Sequence, residues 1–130
     1  MTDPLANTAP RAHVLDLRPG AGGRRTLLGG QPQTAGMRSG VVVLASGESV
    51  GRHTTGTREE VIVVLEGRGE VRIEGAAALA IEAGLAAYVP PATAHDVVNR
   101  GEAPLRYVYV VAEGMAPTGA RPSGGGKAAP

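Results

Sequence analysis

No apolar stretch of this chain holds a helical period for long, and that limits the fold more than any other feature. The apolar residues fall instead into nine short pieces, many of them β-branched. They are HVLDL (13–17), RTLLG (25–29), SGVVVLA (39–45), EVIVVLEG (60–67), EVRIEG (70–75), LAIEAG (79–84), AAYVPP (86–91), HDVVN (95–99) and LRYVYVVA (105–112). Turns bearing Gly, Pro or Asn separate them at near-regular intervals, the pattern of an all-β sandwich or barrel. LEGRGEV (65–71) reads as a glycine-containing hairpin that makes its two strands antiparallel neighbours. VPPATAH (89–95) reads as an edge or a loop entering the next strand, because its two prolines cannot donate to a ladder. EVIVVL is apolar on both faces. One face can line an interior, and the other needs cover from a second sheet or a second subunit.

What could fill that interior is narrow. Cys, Phe and Trp are absent, so the core must be built from Val, Leu, Ile and Ala, and any metal must be held by His, Asp or Glu. There is no aromatic platform for stacking bases, and a net charge of +1 with scattered arginines leaves no footprint for nucleic acid or an acidic membrane. At 130 residues the chain is one domain by length. Residues 1–12 and 116–130 carry Pro, Gly, Ser and Ala without periodicity, so both are expected to be flexible ends flanking a domain at 13–115. No run approaches membrane-spanning length and the opening lacks a signal-like apolar core, so a soluble, cytoplasmic protein is expected.

Two of the three histidines sit where chemistry could gather. His53 and Thr55 point the same way in an extended segment, whereas Glu60, seven residues from His53, would face oppositely in one continuous strand. Gly56 lies between them and is suited to turn the chain. If it does, Glu60 opens a neighbouring strand and faces His53 across a shared interior. His95 opens HDVVN and shares a face with Val97 and Asn99. Two imidazoles and a carboxylate converging inside a small barrel would suit a divalent metal.

The order and spacing of these residues resemble the two motifs of the cupin superfamily. The first, G(x)5HxH(x)3,4E(x)6G, is met by Gly47, His53, Glu60 and Gly67, with Thr55 where the second histidine belongs. The second, G(x)5PxG(x)2H(x)3N, is met by Gly84, Pro90, His95 and Asn99, with Ala92 in place of the inner glycine. The resemblance implies a jelly-roll β-barrel, commonly dimeric, whose metal is held by three histidines and a glutamate. Carried over by position, the implied ligands are His53, Glu60 and His95. Thr55 is the departure: a neutral hydroxyl does not replace imidazole, and affinity should fall. Two imidazoles with a carboxylate nevertheless serve both non-haem Fe(II) oxygenases and catalytic zinc sites. The competing reading is a vestigial site without metal, which would leave buried charge and donors to be satisfied some other way.

Other residues carry weaker signals. Glu59 should point outward if Glu60 points in, and His13 reads as a surface or strand-edge histidine. Asn99 suits a turn held through backbone bonds, and Gly47, Gly67 and Gly84 suit turns. Arg38, Arg52 or Arg106 could bind a substrate carboxylate, with a solvated charge as the ordinary role. Tyr88, Tyr107 or Tyr109 could line the cavity as acid or donor, with packing as the ordinary role. The expected activity is that of a metal-dependent enzyme on a small organic substrate, first a dioxygenase-type oxidoreductase with Fe. A Mn, Ni or Zn isomerase or lyase and a non-catalytic small-molecule-binding protein are the alternatives, and a homodimer is expected in each case. Metal-bound water or Tyr88 would supply acid–base chemistry.

Overall fold

The computed structural model describes residues 9–20 and 22–114. The expected tail at 116–130 and the first eight residues of the expected arm lie outside the described residues. Eight strands form: β1 (Arg24–Gly29), β2 (Arg38–Leu44), β3 (Arg58–Glu66), β4 (Arg68–Ile73), β5 (Leu79–Glu82), β6 (Ala86–Val89), β7 (His95–Asn99) and β8 (Leu105–Glu113). Each coincides with one of the apolar pieces, and there is no helix among the described residues.

The ninth piece, HVLDL, is not a strand. Val14 is 91% and Leu17 37% exposed and Leu15 is only half-buried, so its alternation buries little. Its carbonyls go to side chains instead of a ladder: Arg25 donates to the Asp16 and Arg18 carbonyl oxygens and Arg106 to that of Leu17. The segment is thereby tied to the outer side of a sheet without joining it.

The strands make a five-stranded antiparallel sheet, β1-β2-β8-β3-β6, and a three-stranded one, β5-β4-β7. The segment 47–53 extends the smaller sheet beside β7, through the bridges Ser49–Val98 and His53–His95 and a bond from Val50 N to the Val97 carbonyl oxygen. From β2 onward the chain therefore passes repeatedly between the two sheets, the winding of a jelly roll. The expected hairpin at 65–71 is corrected by this arrangement. β3 pairs with β6 and β8, while β4 pairs with β5 and β7, so Gly67 is a corner between sheets. Its φ of +85° suits glycine, and a methyl group there would overlap the Pro104 carbonyl oxygen and Leu105. Alternation along a strand reports a face but not the sheet it belongs to, which is why the corner resembled a turn between neighbours.

The inner faces meet in a core of Val42, Leu44, Ile62, Val64, Val71, Ile81, Ala87, Val89, Val97, Leu105 and Tyr107. Apart from one tyrosine it is aliphatic, as the composition requires. Each fully buried Val, Leu or Ile contributes about 1.5–3 kcal/mol through removal from water. Asn99 closes one end: its Nδ2 donates to the carbonyl oxygens of Leu44 and Ala103 (both 2.9 Å), and its Oδ1 accepts from Gly101 N (2.8 Å). That is the turn-fixing role expected of it.

Candidate metal centre

β3 opens with two glutamates whose side chains must take opposite faces. Glu60 shares the inner face with Ile62 and Val64 and is buried; Glu59 turns outward. His53 and His95 form an antiparallel pair that exchanges both backbone bonds, His53 N to the His95 carbonyl oxygen (2.9 Å) and His95 N to that of His53 (2.8 Å). Between His53 and Glu60 the chain turns at Gly56, whose φ is +67°, and crosses from one sheet to the other. The bend inferred from the sequence is present. It sets the two imidazoles on one wall of the sandwich and the carboxylate on the other. One ligand-capable atom from each of His53, Glu60 and His95 lies within 4.8 Å of the other two.

Hydrogen bonds fix which atoms face inward. His53 Nδ1 bonds the Gly51 carbonyl oxygen (2.8 Å), and His95 Nδ1 bonds that of Thr93 (2.9 Å). A carbonyl oxygen only accepts, so both Nδ1 atoms carry hydrogen and each neutral ring presents Nε2 as a lone pair. Ligating histidines are oriented this way by backbone carbonyls. The rings lie 4.5 Å apart between centroids, tilted by 55°. His95 Nε2 stands 2.7 Å from Glu60 Oε1, with the His95 side chain fully buried and that of Glu60 7% exposed. A lone pair facing a carboxylate oxygen at that distance needs a cation between them. A proton can serve, and the Glu60 hydrogen bond raises the His95 pKa above its ordinary 6.5, with burial opposing. A divalent metal can serve equally, with His53 as third donor. The residues present fit such an ion.

His53 and Glu60 border a cavity of about 350 Å³ that is also lined by Thr55, Arg24, Arg52, Tyr107 and Tyr109, while His95 lies buried behind them. Thr55 Oγ1 donates to the Arg58 carbonyl oxygen (2.7 Å), so the hydroxyl in the histidine's place is committed to holding the turn. Arg52 pairs with Glu74. Arg106 binds Glu66 (3.0 Å), and neither it nor Arg38 borders the cavity. Tyr88 does not border it either. That residue is 54% exposed on the outer face, where its hydroxyl donates to Glu59 (2.8 Å) and its pKa is raised by that bond. Tyr107 and Tyr109, on the inner face of β8, take the place considered for it; burial keeps the Tyr107 phenol protonated well above the ordinary range. His13 is exposed and, among the described residues, its side chain bonds only the Arg11 carbonyl oxygen.

Arg24 is the charged cavity residue that the sequence did not single out. Its place follows from the β1–β2 register, in which it pairs with core residue Val42. No local pattern in RRTLLG reveals that register.

The model of the cupin domain matches residues 40–111, more than half of the chain and both histidine-bearing segments. The chain belongs to the cupin family. This cupin is similar in structure to a protein from Bacillus halodurans, with a TM-score of 0.70 and 23% identity over 83% of this chain and 86% of that one. It is also similar to a predicted oxalate decarboxylase from Thermotoga maritima (TM-score 0.64, 24% identity, covering 69% and 78%). A third likeness is to KdgF from a Halomonas species (0.59, 18%, 72% and 79%). Identities this low carry the fold and no activity. Among curated proteins no sequence matches the cupin significantly.

Proposed function

We propose that this cupin is a metal-dependent enzyme that oxidises a small organic molecule by dioxygenase-type chemistry, with His53, Glu60 and His95 as the ligands of an iron ion. The supporting observation is the convergence of their three donor atoms within 4.8 Å beside a cavity of about 350 Å³. Two imidazoles and one carboxylate are the donor set of non-haem Fe(II) oxygenases, in which the ion supplies open positions for substrate and dioxygen. The chain's own residues then have separate tasks. The Gly51 and Thr93 carbonyls hold the imidazoles in one tautomer, and Glu60 supplies negative charge from a buried wall. Val42 and Val97 keep the floor apolar, while Tyr107 holds a proton beside the reacting region.

The same reading includes a homodimer. Val61, Leu85 and Tyr88 are exposed on or beside the outer side of the β3–β6 edge, the second apolar face of EVIVVL. A second copy laid against that edge would remove them from water.

The test is elemental analysis of anaerobically purified protein, followed by oxygen uptake with a panel of small organic substrates, repeated on His95→Ala. Stoichiometric Fe with uptake that His95→Ala abolishes, while far-UV circular dichroism stays unchanged, supports the reading. Stoichiometric Zn, Ni or Mn without oxygen uptake replaces it with isomerase or lyase chemistry. An absence of metal under every loading condition replaces it with a non-catalytic binding role.

A further inference from the structure

Arg24 stands out among the groups around the cavity. It begins edge strand β1 directly opposite Val42, whose side chain is in the core, and directly opposed residues share a face. Its guanidinium therefore reaches over the inner side and borders the same cavity as His53 and Glu60. Arg52 beside it is neutralised by Glu74, but Arg24 has no carboxylate partner among the described residues. Its one side-chain hydrogen bond among the described residues runs from Nη2 to the Val50 carbonyl oxygen (3.2 Å), which leaves most of the guanidinium fork unused there.

Tyr107 gives a second, independent observation. The residue is 2% exposed, its ring borders the cavity, and its hydroxyl has no hydrogen-bond partner among the described residues. The hydroxyl faces this cavity and not a sealed interior, so it is available to donate to a water or a ligand atom there. The Tyr109 hydroxyl, on the same face of β8, is likewise without a partner among the described residues. Across the cavity from these donors is His53 on the smaller sheet, with Glu60 on the donors' own sheet, and valines complete the lining.

We propose that Arg24 and the Tyr107 hydroxyl make this cavity a receptor for a small carboxylate, so that the substrate class is an organic acid. The inference rests on the reading of the cavity as a substrate site. A guanidinium fork matches a planar carboxylate with two parallel bonds, and a phenol adds a third donor to one oxygen. Val42, Val50 and Val97 offer contact to a short carbon chain, and the volume lies near the lower end of ligand sites, which begin at about 300 Å³. A phosphate is less suited, because a single unpaired guanidinium faces the cavity and phosphate sites gather several cations or backbone amides.

The test is titration calorimetry of the full chain, of known metal content, with acetate, succinate and benzoate. The matched primary amides and inorganic phosphate serve as controls. The same titrations are made on Arg24→Gln, Arg24→Lys and Tyr107→Phe. At least one carboxylate is expected to bind, its amide to bind about tenfold more weakly or worse, and Arg24→Gln to weaken the acid by about tenfold (1.4 kcal/mol) without changing metal content. Arg24→Lys should recover part of the loss, and Tyr107→Phe should weaken the acid but not the amide. The inference is overturned if no carboxylate binds, if acid and amide bind alike, if phosphate binds more tightly than any carboxylate, or if Arg24→Gln retains wild-type affinity. Because Arg24 and Tyr107 are not proposed ligands, failure to take up metal overturns the enzyme reading while the acid-against-amide comparison still decides this one.

Discussion

His95 Nε2 and Glu60 Oε1, 2.7 Å apart in a buried setting, make the metal-free protein sensitive to pH in a defined direction. The folded-state pKa of His95 is raised above its ordinary 6.5, chiefly by the Glu60 hydrogen bond. A raised pKa contributes stability that is complete below the unfolded value and is lost as pH climbs through the folded one. The urea midpoint of metal-free protein should therefore fall as pH climbs above about 6.5, and His95→Gln should flatten that fall. A midpoint that is level or rises over this range contradicts the pairing. Metal affinity should run the opposite way and rise with pH, because the ion must displace the same proton. Ala92 allows a second test at this scale. It stands where the family motif has glycine and is the non-glycine residue with positive φ among the described residues, at +56°. An L side chain in that region costs about 1–2 kcal/mol, partly offset in glycine by greater freedom of the unfolded chain. Ala92→Gly should raise stability by about 0.5–1 kcal/mol in urea denaturation, and a loss of stability would refute the strain.

At the scale of elements, the corner at Gly67 decides whether β3 and β4 belong to different sheets. Gly67→Ala must accept both a positive φ and overlap with backbone at Pro104, neither of which a side-chain shift relieves. A loss of about 2–4 kcal/mol is expected in equilibrium unfolding. A change within 0.5 kcal/mol, as at an ordinary exposed hairpin, would contradict the corner. The strands themselves were legible because β-branched runs between turn residues have few other solutions, and eight of the nine pieces are strands. HVLDL misled because alternation is a local property, whereas a strand needs a partner, and the carbonyls at 16–18 found guanidinium groups instead. Of the candidate centre, His53, Glu60 and His95 were legible, since motif spacing and a glycine bend are both written locally. Arg24 and the outward Tyr88 were not, because each depends on strand register set by long-range pairing.

For the whole molecule, the outer face of the five-stranded sheet is covered unevenly. Val41 and Val108 are buried on the side where Arg25 and Arg106 hold the N-terminal segment, while Val61 and Tyr88 toward the β6 edge are exposed. If a second copy covers that edge, sedimentation equilibrium should give a dimer for the wild type and a monomer for Val61→Glu, with the fold retained. A monomeric wild type would refute the pairing.

The jelly roll brings two imidazoles and a carboxylate from opposite sheets to one point, and metal binding there is the central claim. It is tested most directly by titrating the metal-free chain with a divalent ion, alongside His53→Ala, Glu60→Gln and His95→Ala. The expected result is one ion per wild-type chain. Each variant should bind at least about tenfold more weakly while remaining folded, since losing a ligand costs no less than losing a group that merely orients one. A wild-type chain that binds no ion, or a variant that binds as tightly as the wild type, would contradict it.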